Sequence, residues 1–229
     1  MNVLTSQSKL GISGPLRPSP GPGDGQHPAC PQGYAVPLLL ASSSAIRRAM
    51  LDAAGVDYEA LAAGVDEAAV KAKLGNQPEP LATELAKAKA EAVSAQRPDD
   101  WVIGSDSVVS AGGRLFDKPA SRDEAAEHLR AFSGQPMQLV SAVALARGGV
   151  TDWSHCASAT LHVRPLSEDF IADYLCREWP AVSYCVGVFR LEGPGVQLFE
   201  RIEGDHFTIL GMPLLPLLGA LRTRGMLAS

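Results

Sequence analysis

Residues 101–110, WVIGSDSVVS, constrain this chain more than any other stretch. They have the pattern of a buried strand, and a carboxylate, Asp106, interrupts it. An ionised carboxylate in such a place is costly unless a metal, a cation or a set of hydrogen-bond donors compensates it. The fold must therefore bring a compensating partner to position 106, which makes Asp106 a functional candidate. An Asp facing outward from an edge strand would need no such partner.

The surrounding pattern mixes helices and strands. Val36–Ala41 reads as a short buried strand, Ala45–Ala54 as a helix closed by Gly55, and Val56–Ala62 as a weakly alternating second strand. Pro80–Gln96 is rich in Ala, Leu, Lys and Glu and predicts a long helix. After the Asp106 strand, Gly112-Gly113 offers a hairpin turn into Arg114–Phe116. Ser121 and Glu124 form a capping box for a helix reaching Phe132. Met137–Arg147 and Val150–Arg164 read as a strand pair around Gly148-Gly149, and Ser167 caps a helix to about Glu178. Val186–Arg190 and Val196–Ile202 are again strand-like, and Pro213–Arg224 is a Leu-rich helix. The expectation is an α/β domain around a mixed sheet.

Residues 1–36 differ from the rest. They are dominated by Pro and Gly and carry few large apolar side chains, which predicts a disordered extension ahead of a domain spanning 37–229. Residues 1–30 lack the continuous apolar stretch of a signal peptide, and no run is long enough to span a membrane. The four cysteines, Cys30, Cys156, Cys176 and Cys185, show no metal-binding spacing, which fits reduced thiols in a cytoplasmic protein. A formal net charge of −5 argues against a nucleic-acid binder.

Chemistry concentrates in a few places. In LASSSAIRR (40–48) a strand ends at small hydroxyl residues and a helix begins, with Ser44 at the N-cap. Free backbone N–H groups, hydroxyls and the positive helix end converge there, and the guanidinium groups of Arg47 and Arg48 add donors suited to phosphate. An ordinary capped helix with two solvated arginines has the same sequence pattern. Asp66 and Glu67 are adjacent carboxylates, a pattern common on solvated surface. On the helix LATELAKAKAEAV, Lys89 lies four residues after Leu85 and shares its face, whereas Lys87 points away. A lysine snorkelling from the edge of the apolar stripe would sit the same way. Lys118 in FDKP and Glu192 in LEG occupy turn positions open either to solvent or to a ligand. His27, His128, His155, His162 and His206 form no cluster.

Taken in order, these pieces resemble the Maf family of nucleoside triphosphate pyrophosphatases. The resemblance runs from about Leu38 to Gly225, through LASSSAIRR, VDE, LAKAKA, GSDSVV, FDKP, FSG, LEGPG and EGDHFTILGMPLLPLL. It implies an α/β fold with an elongated mixed central sheet, flanking helices and a cleft between two lobes, similar to inosine-triphosphate pyrophosphatases. It also implies a homodimer. The implied reaction is hydrolysis of a nucleoside triphosphate between the α and β phosphates, with a divalent cation, Mg or Mn, as cofactor. Under this resemblance Asp106 is the general base and, with Glu67, a metal carboxylate; Ser42, Ser44 and Arg47 cradle phosphate; Lys89 and Lys118 neutralise charge.

The chain also departs from the family pattern. Ala45 replaces a proline at the helix start, and SYCVG (183–187) replaces an Ala-Gly-aromatic stretch. Ile46 and Glu192 resemble the branch acting on 7-methylguanosine triphosphate, whereas Ser107 matches neither that branch nor the one preferring thymidine and uridine triphosphates. The house-cleaning of non-standard nucleotides is the implied role. A nucleotide-sensing regulator of septum formation with little turnover is the alternative, and an enzyme acting on another phosphorylated ligand, such as a nucleotide sugar, is a third.

Overall fold

The structure, a computed structural model, describes residues 38–228. The expected disordered extension over 1–36, with Cys30 and His27, lies outside the described residues, as do Val36 and Pro37 at the start of the first expected strand.

Seven strands form one mixed sheet. Five are β1 (Leu38–Ala41), β2 (Glu59–Leu61), β3 (Trp101–Ala111), β5 (Pro136–Arg147) and β6 (Val150–Val163); β7 (Phe199–Glu203) closes the order β2-β1-β3-β5-β6-β7. The short β4 (Arg114–Phe116) pairs with the end of β3. The β1 strand is parallel to both β2 and β3, while β3, β5, β6 and β7 run antiparallel in sequence. The Gly-Gly turns make the two hairpins compact. Gly112 and Gly113 have φ +57° and +75°, and Gly148 and Gly149 have φ +60° and +80°. Such paired left-handed residues match the twist of the flanking strands.

Helices cover both faces. The helix α3 (Pro78–Gln96) lies across β1, β3 and β5, burying Leu81, Leu85, Ala86, Ala90 and Val93 against Leu39, Val102, Val108, Val140 and Ala144. Gly104 permits this close approach, because a Cβ there would stand 2.6 Å from the Ala90 backbone N. On the opposite face, α1 (Ala45–Ala53) and α7 (Leu214–Thr223) pack over Leu38, Leu40, Ile103, Val143 and Leu145. Farther along that face, α4 (Arg122–Phe132) and α5 (Glu168–Glu178) cover Val109, Met137, Leu139 and Leu161. Between those two apolar clusters β3 and β5 place Ser105, Ser107 and Ser141, a polar gap in an apolar surface.

The expected caps form: the side-chain oxygens of Ser44, Ser121 and Ser167 accept from backbone N–H groups in the first turns of α1, α4 and α5. Three expectations need correction. The strand over Val56–Ala62 shrinks to Glu59–Leu61, an edge strand with two exposed residues. Val186–Arg190 forms no strand; it lies in turns after the 3-10 segment Ala181–Tyr184. The strand over Val196–Ile202 gives way to a 3-10 turn, Pro194–Leu198, before β7. Two helices were not expected: α2 (Glu67–Leu74), capped by Asp66, fully buries none of its residues and so shows little apolar periodicity, and α6 (His206–Ile209) is a single turn.

Candidate active site

Alternation along β3 sends Asp106 toward α3, on the side of Gly104 and Val108. The residue is 8% exposed, and Lys89 of α3 answers it with Nζ 2.5 Å from Oδ1. The same ammonium lies 2.7 Å from Oε1 of Glu67 at the start of α2. One partly buried cation is thus shared by two carboxylates from different elements. The other oxygen of Asp106, Oδ2, makes no hydrogen bond among the described residues. Partial burial of Glu67 opposes its ionisation. The hydrogen bond and charge of Lys89, with the charges of Lys118 and Lys71, outweigh it and hold the carboxyl below its usual value. Lys87 behaves differently, forming a surface pair with Glu84.

The adjacent positions of β3 face the other way and build a second cluster. Ser42 and Ser44 sit in the β1–α1 turn, where the Ser44 N–H donates to Ser42 Oγ at 3.2 Å. Arg47 leaves the first turn of α1 and runs inward. Its Nε donates to the Gly211 carbonyl at 2.9 Å, Nη1 to the Ser105 carbonyl at 2.9 Å and more weakly to Ser42 Oγ, and Nη2 to Ser107 Oγ at 3.0 Å. Burial pulls the guanidinium below its usual pKa, against the opposing charges of Asp106 and Glu67. The Gly211 carbonyl also accepts from the hydroxyls of Ser105 and Ser107, and Ser141 Oγ donates to the Thr208 carbonyl at 2.8 Å. These contacts tie the one-turn helix α6 (His206–Ile209), and the loop from it to α7, to β3 and β5.

The structure therefore gathers Glu67, Lys89 and Asp106 in one ion-paired chain, and Ser42, Ser44, Arg47 and Ser107 in one hydrogen-bonded cluster. Lys118 is exposed after β4 and makes no ion pair among the described residues, although its charge reaches Glu67. Ile46 is half-buried beside Arg47, and Glu192 is exposed on the turn after Arg190. The charges of Glu192 and Lys118 both reach Cys185, whose thiol burial pushes up to about 11. Sequence reasoning missed Ser105, Ser141, Thr208 and Gly211. Small polar residues in two neighbouring strands were the only signal, and pairing them requires the register that sets Ser107 opposite Ser141.

Among the described residues, no group of three or more His, Cys, Asp or Glu is gathered as a metal centre. The two carboxylates of Asp106 and Glu67 still fit a hard divalent cation. Mg²⁺ is commonly held by one or two carboxylates, with substrate phosphates and water completing its shell.

A model of the Maf-like protein family matches residues 37–224. The chain belongs to the Maf-like protein family. Among Maf-like relatives it is 53% identical over 191 residues to the 7-methyl-GTP pyrophosphatase of Rhizobium etli, covering 82% of this chain and 96% of that protein. It is 49% identical over 188 residues to the nucleoside triphosphate pyrophosphatase of Granulibacter bethesdensis, covering 81% and 95% of the two chains. A Ham1 protein of Staphylococcus aureus shares 13% identity with a TM-score of 0.36, over 55% of this chain and 71% of that one. That likeness is distant, and the mixed α/β architecture of this Maf-like chain stands on its own sheet topology.

Proposed function

We infer that the chain is a nucleoside triphosphate pyrophosphatase, hydrolysing its substrate between the α and β phosphates to a nucleoside monophosphate and pyrophosphate. The observation that carries this reading is the Glu67–Lys89–Asp106 chain, in which a buried carboxylate is held in place yet keeps an oxygen unengaged. Oδ2 of Asp106 accepts a proton from water as the water oxygen bonds to the α-phosphorus. The bond from that phosphorus to the bridging oxygen breaks, and pyrophosphate leaves with the electron pair. Lys89 fixes the carboxylate and balances its charge. The β1–α1 turn, with Ser42 and Ser44, offers hydroxyls and helix N–H groups to phosphate oxygens. Arg47, its donors largely engaged by the protein, contributes a fixed positive charge and the rigidity of that turn. Lys118 closes on the phosphates from the exposed side.

Asp106 and Glu67 would hold the divalent cation, Mg or Mn, which when bound draws charge from the phosphate and leaving oxygens. Ile46, Ser107 and Glu192 set base preference, with Glu192 facing the base. The names of relatives such as the R. etli protein, together with Glu192, support 7-methylguanosine triphosphate as the preferred substrate. The catalytic domain of this reading is 37–229, working as a cytoplasmic homodimer in clearance of non-standard nucleotides, without nucleic-acid or membrane partners. Among the described residues no helix is long and apolar enough to cross a membrane.

The test is pyrophosphate release from a panel of nucleoside triphosphates with Mg²⁺. Product is expected with the intact chain, with 7-methylguanosine triphosphate ahead. Binding across the panel without product would overturn the enzymatic reading in favour of a nucleotide sensor.

A further inference from the structure

The turn that carries Glu192 is held from below by one face of α5. Tyr174 and Glu178 lie one helical turn apart on that helix. The Tyr174 hydroxyl donates to the Val188 carbonyl at 2.9 Å, and Val188 has φ +54°, a left-handed backbone that a β-branched residue adopts only when its surroundings enforce it. Glu178, 4% exposed, grips Arg190 through two parallel bonds, Nε to Oε2 at 2.9 Å and Nη2 to Oε1 at 3.1 Å. The chain then folds tightly back over this pair. A Cβ at Gly195 would stand 2.6 Å from the Arg190 carbonyl oxygen, and one at Gly193 would touch both Arg190 and Glu178.

The charges in this turn have an uneven arrangement. Arg190 precedes Glu192 by two residues, and the charge of Glu192 is felt at Arg190. Yet the guanidinium is turned to Glu178, and Glu192 is exposed and makes no ion pair among the described residues. A fork-to-fork pair with a buried carboxylate is the stronger partnership, since an exposed pair with Glu192 would be screened by water.

We propose that Glu178 is a positioning residue that sets base preference by holding Arg190 away from Glu192, leaving the Glu192 carboxylate unneutralised for a positively charged, N-alkylated purine. The inference rests on the reading of Glu192 as a base-facing group. Without Glu178, Arg190 turns to Glu192 and cancels the charge that distinguishes a cationic base from its neutral parent.

Steady-state pyrophosphate release from 7-methylguanosine triphosphate and from GTP tests this. The quantity read is the ratio of the two kcat/KM values. In Glu178→Gln the ratio is expected to fall about tenfold through KM for the methylated substrate, the scale of one charge-assisted contact. In Glu178→Gln/Arg190→Gln the ratio recovers, because no cation is left to neutralise Glu192. In a Glu192→Gln background, adding Glu178→Gln changes the ratio no further. An unchanged ratio in Glu178→Gln, or a ratio that stays low in the double variant, would overturn the proposal. If Glu178→Gln does not fold, Arg190→Lys serves, since an ammonium cannot hold the two-pronged pairing; it should lower the ratio about threefold, and no change would again overturn it. Failure of the intact chain to turn over either nucleotide would count against the pyrophosphatase reading instead, and the intact chain is the first arm measured.

Discussion

The two faces of β3 solve opposite electrostatic problems within three residues. On one face the buried charge is an anion, Asp106, and the answer is a full opposite charge, Lys89, which a second carboxylate also shares. On the other face the inward-running charge is a half-buried cation, Arg47, and the answer is neutral: carbonyls of Ser105 and Gly211 and the hydroxyls of Ser42 and Ser107. The difference matters for a polyphosphate substrate. The first solution leaves a net negative centre, two carboxylates to one ammonium. The second preserves the positive charge of Arg47, because dipoles orient around a cation without cancelling it. One strand thus keeps the anion and the cation apart by using its alternation.

The largest expected effect comes from removing the anion. Asp106→Asn should lower kcat for pyrophosphate release at least about 100-fold, the scale of a lost general base. Its circular dichroism and thermal midpoint should stay near those of the parent, because Lys89 retains Glu67. Unchanged turnover would remove Asp106 from the chemistry. Replacing the cation on the other face comes next. Arg47→Lys keeps a charge but cannot engage the acceptors around it in the guanidinium's geometry. It should lower kcat/KM about tenfold and cost about 1–3 kcal/mol in urea unfolding, because the Gly211 and Ser105 carbonyls lose the guanidinium N–H groups that donate to them. Full activity in Arg47→Lys would mean that the point charge alone suffices.

The first of these two solutions was far more legible in the sequence than the second. A carboxylate inside WVIGSDSVVS announces a need, and the four-residue spacing from Leu85 to Lys89 shows which lysine can meet it. Lys89 does face the strand, and Lys87 pairs at the surface. The neutral cluster leaves no such trace. Serines in strands occur for many reasons, and a glycine carbonyl has no side-chain signature at all. Gly211 reaches Arg47 across 164 residues of chain, which no local pattern encodes. The same contrast holds for the fold. Segments with strong periodicity and caps, such as α3, α4 and the β5–β6 hairpin, were readable from pattern alone. The Val186–Arg190 segment looked like a strand because its apolar residues pack inward from irregular backbone, and α2 was invisible because it fully buries none of its residues.

Two smaller effects sharpen the contrast. Lys89→Ala removes the cation that helps hold the Glu67 carboxyl below its usual value. The acid limb of the pH–activity profile should move to higher pH, and turnover at neutral pH should fall; Lys87→Ala should leave both within about twofold, as for an exposed pair. Equal effects of the two substitutions would contradict the facing of α3. On the neutral face, Ser105→Ala removes a hydroxyl that donates to the Ala142 and Gly211 carbonyls at 2.8 and 3.0 Å. The loss should be about 1 kcal/mol of unfolding free energy, with no movement of the pH profile.

The smallest effect is the pH dependence of stability contributed by Glu67. Its carboxyl is held below the usual value in the folded chain, chiefly because Lys89 and its neighbouring lysines outweigh the cost of partial burial. The folded state therefore binds its proton less readily than the unfolded state. The stabilisation is fully present above the ordinary carboxylate pKa and is lost as pH falls through the lowered one. With the side chain 46% exposed, solvent screens much of the interaction, so the contribution is a fraction of what a buried pair would give. Urea midpoints of the parent and Glu67→Gln should differ at pH 7 and converge as pH falls through the lowered pKa, and added salt should shrink the difference at pH 7. A gap that persists at acid pH would show that Glu67 holds α2 by packing or by neutral hydrogen bonding. The charge-for-charge description of this face would then apply to Asp106 and Lys89 alone.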